Sequence, residues 1–184
     1  MTRRTIVELV AQADATLPDN ITGLIDPADV RNMIKDFLDT MRPSYAAMQI
    51  TTGVSKAVTT AFSTFTWSAI DIAQAPDWSI SLASGTAQRE GGPASTRTSF
   101  SIDAVAPNNM VVTFALFVNG VETVWASSNT STSATDVQSF AFSALNYNAS
   151  ATVQYQIQVK GSSAGNVVLS NAIMVCENIP VNQN

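Results

Sequence analysis

Few residues of this chain could do chemistry, and their types narrow the possibilities quickly. The sequence has no histidine and one cysteine. That removes the commonest general base at neutral pH, the usual Ser-His-Asp arrangement and the commonest metal ligand. A lone thiol closes no intrachain disulfide and builds no zinc site. Carboxylate chemistry remains: Asp71 and Asp77, close to Trp67 and Trp78, have the types that a glycosidase or sugar-binding cleft would use. The plainer expectation is loop acids beside core tryptophans. Gly91-Gly92-Pro93 reads as turn chemistry rather than a phosphate loop. Cys176 has no basic neighbour to lower its pKa and reads as a small packed residue, facing opposite to Ile173 and Val175. The expectation is a protein without enzymatic activity, cofactor or metal.

The elements that carry these residues follow a period of two from Ala46 onward. Trp78, Ile80 and Leu82 alternate, as do Phe100 with Ile102 and Phe140 with Phe142. Val153, Tyr155, Ile157 and Val159 alternate with Thr152, Gln154, Gln156, Gln158 and Lys160, which predicts a strand with one buried and one wet face. Met110 to Val118 is apolar on both faces. Its Val112, Phe114, Leu116 and Phe117 therefore belong to a doubly covered core strand or to an interface between subunits. Asn119-Gly120 between two apolar runs predicts a type I′ hairpin, which needs positive φ at both central residues. Turn-rich stretches at Glu90 to Ser95, Ser127 to Thr135, Asn146 to Ser150 and Gly161 to Asn166 separate the runs. About eight to ten strands at this spacing, with no helical pattern among them, predict an antiparallel sandwich or jelly roll. Ser127 to Thr135 is low in complexity and is expected to be an exposed loop. Arg89, Glu90, Asn129 and Thr130 are the residues such loops would offer to a ligand.

Charge divides the chain. Residues 1–45 hold twelve of the twenty-three charged side chains, and the other 139 residues of the 184 share eleven. A monomeric domain covers itself with roughly a quarter charged residues, so a body this poor in charge fits an assembled or extracellular protein. A net charge of −5 without basic clusters argues against nucleic-acid binding. No run of about 18 apolar residues occurs, so no membrane insertion is expected. Glu8 and Gln12 interrupt any apolar core of a secretory signal.

The charged N-terminal stretch has a helical period instead. Ile6, Leu9, Val10, Ala13 and Leu17 form one amphipathic stripe. After turn residues, Asp26-Pro27 starts a second helix: the carboxylate caps free N–H groups and proline suits the first helical position. Val30, Ile34, Phe37, Leu38 and Met41 make its apolar stripe, opposed by Arg31, Lys35, Asp36 and Asp39, and Arg42-Pro43 ends it. Such short helices are marginal alone, so this stripe is the expected docking or assembly surface. Residues 1–45 are read as a helical attachment segment, residues 46–184 as the jelly-roll domain, and Arg42 to Tyr45 as the linker.

Two resemblances extend this reading. The attachment segment, with a Thr22-Gly23 turn before Ile25-Asp26-Pro27-Ala28-Asp29-Val30-Arg31, resembles the N-terminal segment of tailed-bacteriophage virion structural proteins over roughly residues 4–45. The body, through Val112 to Val121, Ser139 to Leu145, Thr152 to Val159 and Val168 to Val175, is similar to the C1q and tumour-necrosis-factor-like jelly roll. Domains of that family commonly form threefold trimers. Together the resemblances imply a homotrimeric accessory module of the virion, a capsid decoration or short head fibre, docked to a capsid or tail protein. A tail-associated tip that contacts host surface glycan is the alternative. Exposed aromatic residues beside polar ones would favour the tip, and burial of Trp67, Trp78 and Trp125 would weaken it.

Overall fold

The computed structural model describes residues 11, 30–35, 44–74, 77–90, 94–127, 130–150 and 152–179; for residues 70–74 and 127 it describes the backbone alone. The chain divides into two units, Met1–Pro43 and Ser44–Asn184. In the first, residues 30–35 are helical. Val30 is half-buried there and Ile34 is exposed. Phe37, Leu38 and Met41, with the remainder of the expected hairpin, lie outside the described residues.

The second unit is an antiparallel sandwich. Its strands are β1 (Tyr45–Ile50), β2 (Val54–Val58), β3 (Ser63–Thr64), β4 (Ala69–Gln74), β5 (Trp78–Ser81), β6 (Thr86–Glu90), β7 (Ala94–Val105), β8 (Val112–Val118), β9 (Val121–Ser127), β10 (Val137–Asn148), β11 (Thr152–Gly161) and β12 (Gly165–Ile179). One sheet runs β10-β7-β12-β1-β4, with β2 also on β12. The other runs β5-β6-β11-β8-β9, with β3 also on β11. Consecutive strands alternate between the sheets for much of the chain, which is the connectivity of a jelly roll.

Alternation makes the core. In β11, Val153, Tyr155, Ile157 and Val159 are fully buried while the intervening residues are not. Val112, Phe114 and Leu116 of β8 are fully buried as well. They meet the first sheet through aromatic edges, Phe114 lying 4.7 Å from Phe140 and 5.7 Å from Phe100 between ring centroids. Geometry of this kind adds about 0.5–1.5 kcal/mol per pair to the area buried. Of the two places the sequence left open for β8, these three residues take the core. Phe117 points to the opposite side, edge-on to Phe62.

Local chemistry fixes two turns. Asn119 and Gly120 have φ of 51° and 79°, the two left-handed residues that a type I′ hairpin requires. Gly85 has φ of 65°, and a Cβ there would lie 2.8 Å from the Phe65 carbonyl and 3.2 Å from the Trp67 indole nitrogen. Glycine is required at that position by conformation and by space.

The linker is shorter than expected. Ser44 is buried, its carbonyl accepts from Asn178 N at 2.8 Å, and Tyr45 already belongs to β1. Both residues are part of the body. The stretch Ser127 to Thr135 is likewise not wholly exposed: Ser131 is buried, donating from its hydroxyl to the carbonyls of Ser133 at 2.8 Å and Ala106 at 3.4 Å.

Candidate functional site

The body offers a buried polar network and a surface with exposed apolar side chains. The network is buried at the end of the sandwich where the chain enters. Ser44 Oγ donates to Asp77 Oδ2 at 3.2 Å, Asn178 Nδ2 donates to Ser44 Oγ at 3.4 Å, and Thr96 Oγ1 donates to Asn178 Oδ1 at 3.2 Å. Arg89, fully buried on β6, donates from Nη2 to the Ser150 carbonyl at 3.2 Å. Asp77 and Arg89 hold further interactions, as buried charges must. Tyr155 stands beside Thr96 and Arg89 in the same core, and burial pushes its hydroxyl pKa up. This network ties the first residue of the body to the last strand.

The network corrects one expectation. Arg89 is a strand residue sealed in the core, not a loop residue open to a ligand, because its position shares a face with the fully buried Ala87. Asp77 lies in the turn before β5, beside the buried Trp78, as a loop acid that is itself buried and hydrogen-bonded. Asp71 lies on β4, where only backbone is described. Of the other expected ligand contacts, Glu90 is exposed at the end of β6 and Thr130 is exposed, while Asn129 lies outside the described residues. Among the described residues no group of three or more His, Cys, Asp or Glu could hold a metal ion, and no helix is long and apolar enough to cross a membrane.

Cys176 is fully buried on β12, facing opposite to Ile173 and Val175, with Thr98 Oγ1 3.6 Å from its sulfur. Desolvation raises its pKa from the ordinary 9.0 to about 12, against the smaller opposing effect of Thr98. At neutral pH it is a thiol, and an inert one.

The apolar surface is the outer face of the first sheet. Along β10 the even positions from Gln138 to Asn148 are buried or half-buried and the odd ones are exposed, among them Val137 at 64%, Leu145 at 65% and Tyr147 at 61%. β10 and β7 pair without interruption over twelve positions, so this face carries Val137 beside Val105, Ala141 beside Ser101, Ser143 beside Ser99 and Tyr147 beside Ser95. β12 continues the rows with Val168, Ile173 and Val175. Its charges are sparse and local: Arg97 faces Glu177 in register, and Asp103 accepts from Ser139 Oγ at 2.6 Å and Asn171 Nδ2 at 2.9 Å. Those two hydrogen bonds, Ser139 first, hold the Asp103 carboxyl below the usual carboxylate range. Asn171, at φ 49°, sits in the break of register between Ser170 and Ile173, and the turned backbone there brings its amide to Asp103.

None of Val137, Leu145 and Tyr147 was singled out from the sequence as a surface. The signal was present in β10 as an alternation with apolar residues on both sets of positions.

No protein-family model matches the chain, and no curated protein matches it in sequence. Solved structures do match in fold. The chain is similar to the Eiger TNF of S. frugiperda, with a TM-score of 0.57 at 10% identity over 78% of this chain and 97% of that one. It is also similar to murine APRIL, with a TM-score of 0.52 at 8% identity over 75% of this chain and 100% of that one. The globular domain of zebrafish complement 1qA is matched at a TM-score of 0.48 and 10% identity over 78% of this chain and 100% of that one. The first two establish that the body has the TNF-like jelly-roll fold.

Proposed function

We propose that the chain is a non-enzymatic structural protein of a bacteriophage virion, a homotrimeric accessory module whose jelly-roll bodies pack through the outer face of the β10-β7-β12 sheet. Residues 1–43 dock it to a capsid or tail component. The observation that carries the assembly is the row of half- or more-exposed Val137, Leu145 and Tyr147 on one face of β10, in a body with little charge to strand on burial. Covering side chains of this size is worth roughly 1–3 kcal/mol each. The virion role draws on the resemblance of residues 4–45 alone.

Light scattering of the full chain tests the assembly. A mass of three times the 19.5 kDa chain is expected, falling toward a single chain in a Leu145→Glu Tyr147→Lys variant. A monomer in the native protein would contradict the proposal. For the docking role, a chain without residues 1–43 is expected to keep its assembly and lose its association with particles.

A second reading, a tail-associated tip contacting host surface glycan, is favoured by one observation: Trp125 is exposed, whereas Trp67 and Trp78 are buried.

A further inference from the structure

At Trp125 the chain breaks its own register. β9 pairs with β8 as Val121 with Val118 and Glu122 with Phe117, then shifts, so that Val124 faces Leu116 and Trp125 faces Ala115. Thr123 is the extra residue, and its Oγ1 donates to the Leu116 carbonyl at 3.0 Å, which holds the bulge. Residues that face one another across a pair of strands point to the same side. A regular continuation would therefore have set Trp125 against Phe114 and into the core. Instead Val124 and Ala126 pack on the core, and Trp125 stands outside it at 60% exposure. A bulge that re-aims a side chain is a designed feature, and here it forgoes the burial of the largest apolar side chain available.

The surroundings define what would cover the ring. From Trp125 the register crosses Ala115, which is fully buried, to the half-buried Gln158 and Thr64, a strip of roughly 14 Å at the spacing of neighbouring strands. Gln158 Nε2 donates to Gln156 Oε1 at 2.8 Å, and Gln156 Nε2 donates to the Ser84 carbonyl at 2.7 Å. Farther along the same face Gln154 Nε2 donates to Gln88 Oε1 at 3.0 Å. Each amide is held in one orientation by its neighbours. Gln156 Nε2 also donates to Thr86 Oγ1 at 3.4 Å, so Gln156 keeps one carbonyl lone pair for a ligand, while Gln158 keeps an N–H donor and its carbonyl. Charge on this face is sparse and mixed, Glu90, Glu122 and a Lys160 whose ammonium lies 4.3 Å from the centre of the Phe62 ring. An ionic polymer would find too little of either sign. An exposed indole beside oriented neutral amides suits a ligand with apolar C–H faces and hydroxyl edges.

We infer that the outer face of β9, β8 and β11 is a binding strip for a neutral oligosaccharide, with Trp125 as the stacking platform and Gln156 and Gln158 as hydrogen-bonding partners. This names the site and ligand class for the second reading above. It does not depend on where in a virion the protein sits.

Because the other two tryptophans are buried, acrylamide quenching of the full chain reports on Trp125. Titration with cellohexaose, maltohexaose or hexa-N-acetylchitohexaose is expected to give, with at least one of them, a saturable change in emission and protection from the quencher. Calorimetry with the same sugar is expected to show binding about tenfold weaker in Trp125→Ala, the ~1.4 kcal/mol of one aromatic contact. Gln158→Ala is expected to weaken it several-fold, with the fold unchanged by circular dichroism. No response to any of the three sugars would overturn the inference. So would a Trp125→Ala protein of altered scattering mass, which would place the ring between copies of the chain. A protein that docks on particles but binds no sugar would refute this strip while leaving the virion reading intact.

Discussion

Cys176 shows how a residue with chemical potential is silenced by its surroundings. Thr98 is its hydrogen-bond partner, and desolvation dominates. Because the folded pKa of about 12 lies above the ordinary 9.0, the stability contributed by keeping the thiol neutral is whole below pH 9 and is lost as pH rises toward 12. Tyr155, raised by the same burial, acts in the same direction above its ordinary range. Urea unfolding from pH 8 to 10.5 is expected to show stability falling above pH 9, by up to about 1.4 kcal/mol per pH unit for the thiol alone. Cys176→Ala is expected to flatten that slope by the same amount, and equal slopes in the two proteins would refute the account. In the native chain at pH 8 the thiol is expected to resist iodoacetamide until denaturant is added. Its facing was legible in the sequence, since alternation along one strand is local. The buried state of Arg89 was not, because a charged residue in a short alternating run reads as surface until the partner elements that enclose it are known.

At the scale of elements, turns and register breaks decide where side chains go. Gly85 occupies a left-handed turn closed against Phe65 and Trp67, so Gly85→Ala is expected to destabilise the body by about 1–3 kcal/mol in chemical denaturation. Gly120→Ala is expected to cost less: it has a left-handed φ too, but no atom lies within 4 Å of the added Cβ. A loss at Gly120 equal to that at Gly85 would show that the close approach to Phe65 contributes nothing. The Asn-Gly hairpin was readable because its requirement, two residues with positive φ, is met by residue type alone. The bulges at Thr123 and Asn171 were not. They appear only when two strands distant in sequence are paired, and each reverses the facing of everything beyond it.

At the scale of the whole molecule, residues 44–184 hold their own core and residues 1–43 form a separate unit. A chain beginning at Ser44 is therefore expected to unfold in one cooperative transition with the midpoint of the body in the full chain. A broad or strongly lowered transition would show that residues 1–43 stabilise the sandwich. The same view separates the two exposed surfaces. The β10 face carries the exposed Val137, Leu145 and Tyr147 among serines and three charges, Arg97, Asp103 and Glu177; the Trp125 strip is amide-rich and lies on the opposite sheet.

The sequence by itself determined that the body is antiparallel β, that β11 has one dry face, that Asn119-Gly120 turns the chain and that Cys176 faces opposite to Ile173 and Val175, because each depends on neighbours within one strand or turn. Tertiary structure alone decided which of two apolar faces is covered. Phe114 and Phe140 meet in the core while Leu145 and Tyr147 stay outside. A period of two fixes that neighbouring side chains diverge, but only the opposing sheet fixes which side is inside.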